Sequence, residues 1–187
     1  FMAFCLFLPW AMAGLSDDQI EQINETLESW IDSGKYAGIV NLTLVEGRIE
    51  HFEAFGYKDL ASEMPMTKDA IFRIFSMTKP IVSVAVMQLV EQGKVSLESP
   101  IVEYFPEFKG LRVYQDGQYV EPREPIRLKH LLTHTAGFSY GWGDNPVDQA
   151  YKEVGIFRDN FKDSDDFVEQ IAKLPLIYHP GEKWHYS

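Results

Sequence analysis

Cysteine is almost missing from this chain: its 187 residues hold one, Cys5. That residue lies in an apolar N-terminal run, so everything from Gly14 onward is free of cysteine. No disulfide framework can be drawn there, and the redox compartment leaves no mark. Apolar residues follow Cys5, a pattern unlike a lipid-attachment site. Positive charge is scarce as well. Seventeen Lys and Arg stand against 28 Asp and Glu, a net charge of −11. That speaks against nucleic acid as a partner, because binding phosphates needs a basic face. The apolar run from Phe1 to Trp10 is too short to span a bilayer, so no stable membrane anchor is expected. Internal repeats and low-complexity tracts are absent. So are the Ser-Asp-Asn triplet of one class of serine enzymes and the His-Glu-x-x-His of zinc hydrolases.

What is present is a globular composition, 45% hydrophobic and 14% aromatic, in a chain long enough for one domain with a real core. Phe1 to Trp10, followed by Ala11-Met12-Ala13 before Gly14, reads as a signal segment with a small-x-small cleavage site. Export to the periplasm or the medium is the expectation. A positively charged start is missing and residue 1 is Phe, so the chain is expected to begin inside a longer reading frame. A buried N-terminal helix is the competing reading of residues 1–13.

Local signals order the rest. Ser16-Asp17-Asp18-Gln19 is a capping box before an amphipathic helix. Its apolar stripe is Ile20, Ile23, Leu27, Trp30 and Ile31, and Gly34 is its stop. Gly38 to Val45 and Arg48 to Tyr57 read as a hairpin around Glu46-Gly47, followed by a loop from Lys58 to Lys68. Ala70 to Phe75 reads as strand-like, and Pro80 to Val90 as a buried helix ending at Gln92-Gly93. A small hairpin is expected around Asp116-Gly117. A short helix is expected from Ile126 to Thr133, stopped by Gly137. Further helices are expected from Val147 to Val154 and from Asp165 to Leu174, the last capped by Asp163 or Ser164. Helix, hairpin, then a mostly helical region is an α+β or α/β pattern.

Ser76-Met77-Thr78-Lys79 stands at the start of the Pro80 helix. A Ser and a Lys three positions apart share a helix face, which is one way to give a nucleophile a cationic neighbour. The chain has 11 Ser and 11 Lys, so one such pair is an ordinary chance event. Pro80 raises it, because proline is tolerated only in a helix's first turn and so fixes the start close to Ser76. There the dipole and the unpaired amides of the first turn gather. A plain N-cap with a surface lysine behind it is the other reading of Ser76. His130 and His134, four apart, could be a metal pair. They could equally be helix-end histidines bonding to backbone, since no third ligand follows. The acidic run Asp163 to Asp166 reads as a solvated helix start rather than a metal site.

Three ordered segments then carry a resemblance: Ile74 to Pro80, His130-Leu131-Leu132-Thr133-His134-Thr135-Ala136-Gly137, and Pro180 to Ser187. Together they resemble the landmarks of the class C β-lactamase-related serine hydrolases, which include β-lactamases, family VIII carboxylesterases and D-amino-acid peptidases. The likeness covers roughly Leu15 to Ser187. Ala136 stands where relatives often carry Ser.

The resemblance implies the β-lactamase and penicillin-binding serine hydrolase fold, an antiparallel sheet flanked by helices plus a helical subdomain. It implies Ser76 as nucleophile, Lys79 as the neighbour helping to strip its proton, and Tyr186 as general base and acid. It also implies that the Asn of the Tyr-x-Asn motif and a Lys-Thr-Gly type strand lie beyond Ser187. On that view residues 14–75 hold the first helix and strands, and 76–187 the nucleophile helix and helical subdomain. The expected reaction is hydrolysis of an ester, β-lactam or D-peptide amide through a Ser76 acyl-enzyme, on a small molecule and without metal or organic cofactor. The alternative is a catalytically silent member serving as a binding or structural module.

The chemistry makes its own demands. Serine at its free pKa is a poor nucleophile. A desolvated lysine near other cations would have a lowered pKa, and tyrosine serves as a base only where cations favour its phenolate. The Ser76 N–H would be one oxyanion donor.

Overall fold

The computed structural model describes residues 14–156 and 161–187. The expected signal segment and Cys5 lie outside them. The chain divides between Ile74 and Phe75 into two compact units.

The first unit is a helix beside a three-stranded antiparallel sheet. Helix α1 spans Asp17–Asp32 and opens on the expected capping box: the Ser16 hydroxyl accepts from the Gln19 N–H, and the Gln19 side chain accepts from the Ser16 N–H. Leu27 is buried at the centre of its apolar stripe. Strands β1 (Gly38–Val45) and β2 (Arg48–Asp59) pair antiparallel, with an irregularity between Thr43 and Leu44. Glu46 and Gly47 both take positive φ, 51° and 79°, the turn whose twist matches that of the strands. Strand β3 (Met64–Pro65) adds to β2 inside what the sequence reads as a loop. Its two residues are too few for any pattern to announce them. Buried His51 ties the layers together, bonding Asn24 of α1 and Asn41 of β1 at 2.8 Å each.

Two expectations around the start of the second unit fail. Ala70 to Phe75 forms no strand; Ile71 is fully exposed and Phe72 half exposed. Five apolar residues around Arg73 carry no clear period of their own, and a strand also needs a partner for its amides and carbonyls. Helix α2 (Thr78–Glu91) does form, closed by Gln92 and Gly93 at φ 66°. Yet none of its residues is buried, and Ile81, Val82 and Val84 are all more than half exposed. An apolar composition states a need for burial without supplying the surface that meets it.

The rest of the second unit is built on two small cores. One joins Ile101, Leu111, Val113, Ile126, Ala136 and Leu176; the other joins Val147, Tyr151, Ile171 and Leu174. Phe108 and Phe138 pack against both. A hairpin of β4 (Val113–Gln115) and β5 (Gln118–Val120) turns at Asp116-Gly117 as expected. Helix α3 (Leu128–Leu132) stops earlier than its sequence suggests. His134, at φ 56°, turns the chain, and not Gly137. Helix α4 spans Pro146–Val154 and α5 spans Ser164–Ile171, capped by the Asp163 carboxylate. The acidic run is thus used in capping.

Past α3 the chain is pinned against its own last residues. The Gly181 N–H donates to the Thr135 carbonyl and the His185 N–H to the His134 carbonyl, 2.8 Å each. Gly137, at φ 90°, lies so close to the Tyr178 carbonyl that a Cβ would collide with it. These contacts lay residues 178–186 along residues 134–137, and so bring the end of the chain to the start of α2.

Candidate active site

Ser76 occupies a single 3₁₀ turn, Phe75–Met77, directly ahead of α2. The residue at the cap position is Met77, and no side chain caps the helix. The plain N-cap reading of Ser76 therefore fails. Phe75 holds φ at 45°, a left-handed conformation that is costly for a bulky residue and tends to collect at functional sites. Pro80 is the third helical residue, so the proline does fix the start where the sequence suggests.

Lys79, in the first turn of α2, reaches two phenols. Its Nζ donates to the Tyr140 Oη at 3.2 Å and sits 4.7 Å from the centre of the Tyr186 ring. Partial burial works to lower its pKa. Hydrogen bonds to Tyr186 and Tyr140, with the negative charge those phenols can carry, outweigh that and leave it raised above the ordinary lysine value. This corrects the expectation of a lowered lysine. The groups facing Lys79 are phenols rather than cations, so the ammonium is favoured.

Tyr186 shows the converse. Hydrogen bonds from Ser76 and then Lys79, the lysine's charge, and a hydrogen bond with Tyr140 hold its pKa below the ordinary tyrosine value, against burial. Ser76 and Lys79, three positions apart, thus form one interacting group with the distant Tyr186. The group combines a phenol shifted toward phenolate, a nearby serine hydroxyl and a lysine shifted toward ammonium.

Around this group stand aromatic rings that sequence reading did not single out. Tyr140 stacks on Tyr186 at 5.5 Å and 11°, and Trp142 stacks on Tyr140 at 4.5 Å and 10°. The His134 ring lies 4.6 Å from Tyr186, and its Nδ1 accepts from the Ser187 N–H at 3.4 Å. Burial, then the Lys79 charge, holds His134 below the ordinary histidine value and so neutral at pH 7. His130 is spent elsewhere, its Nδ1 accepting from the Arg127 N–H at 3.1 Å. Among the described residues no group of three or more His, Cys, Asp or Glu could hold a metal ion. The one sign of Tyr140 and Trp142 in the sequence is the alternation of glycine with aromatics in Gly137-Phe138-Ser139-Tyr140-Gly141-Trp142-Gly143, which reads first as a loop.

That loop is anchored from below. The buried Ser139 hydroxyl donates to the buried Asp148 carboxylate of α4 and accepts from the Gly141 N–H at 2.9 Å. Asn145 caps α4 through the Asp148 N–H at 3.0 Å, and its amide also donates to the Asp148 carboxylate. A cavity of about 580 Å³ opens beside Ser76, Lys79, His134 and Tyr140, with Val82 and Leu131 on its apolar wall.

Known proteins resemble this chain in sequence and in fold. A family model described as Beta-lactamase matches residues 17–187. Esterase EstB of Burkholderia gladioli is 34% identical over 159 residues, 82% of this chain and 38% of its own length. A lovastatin esterase of Penicillium rubens is 30% identical over 174 residues, 88% of this chain and 43% of its own length. The solved structure of EstCE1, a hydrolase with promiscuous acyltransferase activity, superposes with a TM-score of 0.74 at 28% identity, covering 89% of this chain and 43% of that one. The D-amino acid amidase of Ochrobactrum anthropi SV3, at 24% identity and a TM-score of 0.62, shares the fold. The chain spans about two fifths of the length of the curated relatives it matches. Its fold is that of the β-lactamases and penicillin-binding proteins, mixed α and β with antiparallel sheets, and the chain belongs to the β-lactamase family, the β-lactamase-related serine hydrolases.

Proposed function

We propose that the protein carrying this chain is a serine hydrolase acting on carboxylic esters through a Ser76 acyl-enzyme. The observation that carries this is the convergence of Ser76 and Lys79, at the start of α2, on Tyr186, whose ring lies 4.7 Å from the Lys79 Nζ; there the phenol is pulled toward phenolate and the lysine toward ammonium. The Tyr186 phenolate takes the Ser76 proton as Oγ bonds to the ester carbonyl carbon. The ester's C–O bond then breaks, and the departing alkoxide receives that proton back from Tyr186. Water repeats the sequence on the acyl-serine, releasing acid and restoring Ser76. Lys79 keeps its proton throughout and supplies a fixed positive charge. The Ser76 N–H, in the turn before α2, is offered to the developing oxyanion.

The names of two relatives, esterase EstB and lovastatin esterase, favour esters over β-lactams and D-peptide amides. The apolar run ending in Ala11-Met12-Ala13 supports export, with cleavage before Gly14. Among the described residues no helix is long and apolar enough to cross a membrane.

One mass-spectrometric experiment tests both readings. A fluorophosphonate is applied to the protein recovered from an expressing bacterium, and its peptides are mapped. The expected result is one adduct, on the peptide bearing Ser76, in a protein whose N-terminus is Gly14. Labelling at Ser139 or at any other serine overturns the nucleophile assignment, and a retained Phe1 to Ala13 overturns export. A panel of p-nitrophenyl butyrate, nitrocefin and a D-alanyl peptide is expected to show the ester turned over fastest.

A further inference from the structure

The group at the start of α2 contains one more polar tip than a base, its partner and a nucleophile require. An ammonium has only protons to give, so the Tyr140 Oη is the acceptor of the 3.2 Å bond from Lys79. The same phenol stacks on Tyr186 and helps to hold the Tyr186 pKa below the ordinary tyrosine value. The ring is held for this purpose on both sides. One neighbour, Ser139, is buried and tied to Asp148. The other, Gly141, has φ 74°, and a Cβ there would stand 3.1 Å from the Asp148 carbonyl oxygen. Two steps back, Phe138 is wedged between the two cores.

We propose that Tyr140 is a positioning residue of this site: its hydroxyl accepts from Lys79 and its ring stacks on Tyr186, so that one phenol sets the place of both. The inference rests on the Ser76, Lys79 and Tyr186 roles above and adds a residue that acts only through Lys79 and Tyr186. The titratable groups facing Tyr186 are Lys79 from α2, Tyr140 from the loop and His134 from the end of α3. His134 is held neutral and adds no charge to the set.

The hydrogen bonds fix the signs. A donor to Tyr186 favours its phenolate, so loss of the Tyr140 hydroxyl raises the Tyr186 pKa. An acceptor for Lys79 favours its ammonium, so the same loss lowers the Lys79 pKa. A reaction that needs Tyr186 deprotonated and Lys79 protonated runs in the pH window between the two. Tyr140→Phe keeps the ring and its stack while removing the hydroxyl. It is expected to narrow that window from both sides, the acid limb of kcat/KM rising and the basic limb falling by about one pH unit each, the order of one hydrogen bond to a charged group. KM and the melting temperature are expected to stay where they are.

The test is the pH profile of p-nitrophenyl butyrate hydrolysis by the protein carrying this chain, for wild type, Tyr140→Phe and Tyr186→Phe. A Tyr140→Phe profile with wild-type limbs, or one lowered equally at every pH, overturns the inference. If Tyr186→Phe also collapses activity, the base assignment stands and only the Tyr140 role fails. If Tyr186→Phe keeps both activity and the acid limb, the underlying reading fails, and the Tyr140 role with it. Fluorophosphonate labelling rates across the same pH range report on acylation alone and are expected to follow the same shifts.

Discussion

Helices α2 and α4 both carry a proline among their first three residues, and they begin in opposite ways. At α4 the demands of the helix start are met. Asn145 caps it, Val147, Asp148 and Tyr151 are buried, and the Asp148 carboxylate binds back to Ser139 and Asn145. At α2 no side chain caps the start, no residue is buried, and Phe75 just ahead holds a left-handed φ. The serine beside this start acts on Tyr186, helping to lower its pKa, and does not cap the helix. One helix start spends its polar groups on its own stability. The other leaves its serine facing a phenol and an ammonium. Chemistry and stability are therefore expected to separate by helix, and substitutions at the two starts test how cleanly.

The largest effect is expected at α2. Ser76→Ala should reduce ester hydrolysis by about 10⁴-fold or more, as loss of a nucleophile does elsewhere. Ser76 is exposed and caps nothing, so thermal unfolding should be unchanged. Steady-state assay and a melting curve on the same sample check both halves. A variant that loses activity and several degrees of melting temperature together would erase the contrast between the helices.

The second effect reverses the pattern. Asn145→Ala removes the acceptor for the Asp148 N–H and a donor to the buried Asp148 carboxylate. A lost cap costs about 1 kcal/mol, and a buried carboxylate short of one donor adds about 1–3 kcal/mol. Denaturant unfolding should show the loss as a lower midpoint at unchanged slope. The nucleophile should still label with a fluorophosphonate wherever the protein remains folded. If Asn145→Ala leaves stability alone and abolishes labelling, α4 belongs to the site after all.

This division explains what the sequence disclosed. Signals that are settled within a few residues were readable. The box at Ser16 and Gln19, the positive-φ turns at Glu46-Gly47 and Asp116-Gly117, and the Asp163 cap all stand where the pattern places them. The place of Ser76 and Lys79 at a helix start was readable too, because Pro80 fixes the register. Signals that depend on a distant partner were not. Ala70 to Phe75 has a strand's composition but no strand to pair with among the described residues. Helix α2 has a buried helix's composition and an exposed surface. Tyr140 meets Lys79 across 61 positions, and nothing near either residue announces the other. The same distance dependence set the lysine's charge wrong. Its pKa is governed by phenols that only the fold supplies.

The smallest effect is expected at a third helix start, α1, which resembles α4 in being fully capped but stands in the other unit. Ser16→Ala removes the hydroxyl that accepts from the Gln19 N–H at 3.3 Å. The reciprocal bond, from the Ser16 N–H to the Gln19 side chain at 2.9 Å, needs only the backbone of residue 16 and should survive. Half of the box remains, and the cap is exposed to water that can replace the lost acceptor. The cost should therefore fall near the low end of the range for caps, about 0.5–1 kcal/mol. Gly is expected to cost less than Ala there, only a few tenths of a kcal/mol. Denaturant melts of Ser16→Ala and Ser16→Gly measure both, and ester turnover should not move in either. An Ala cost above about 2 kcal/mol would show that Ser16 does more than cap. Any change in turnover would show that the first unit bears on a site whose described residues all lie in the second.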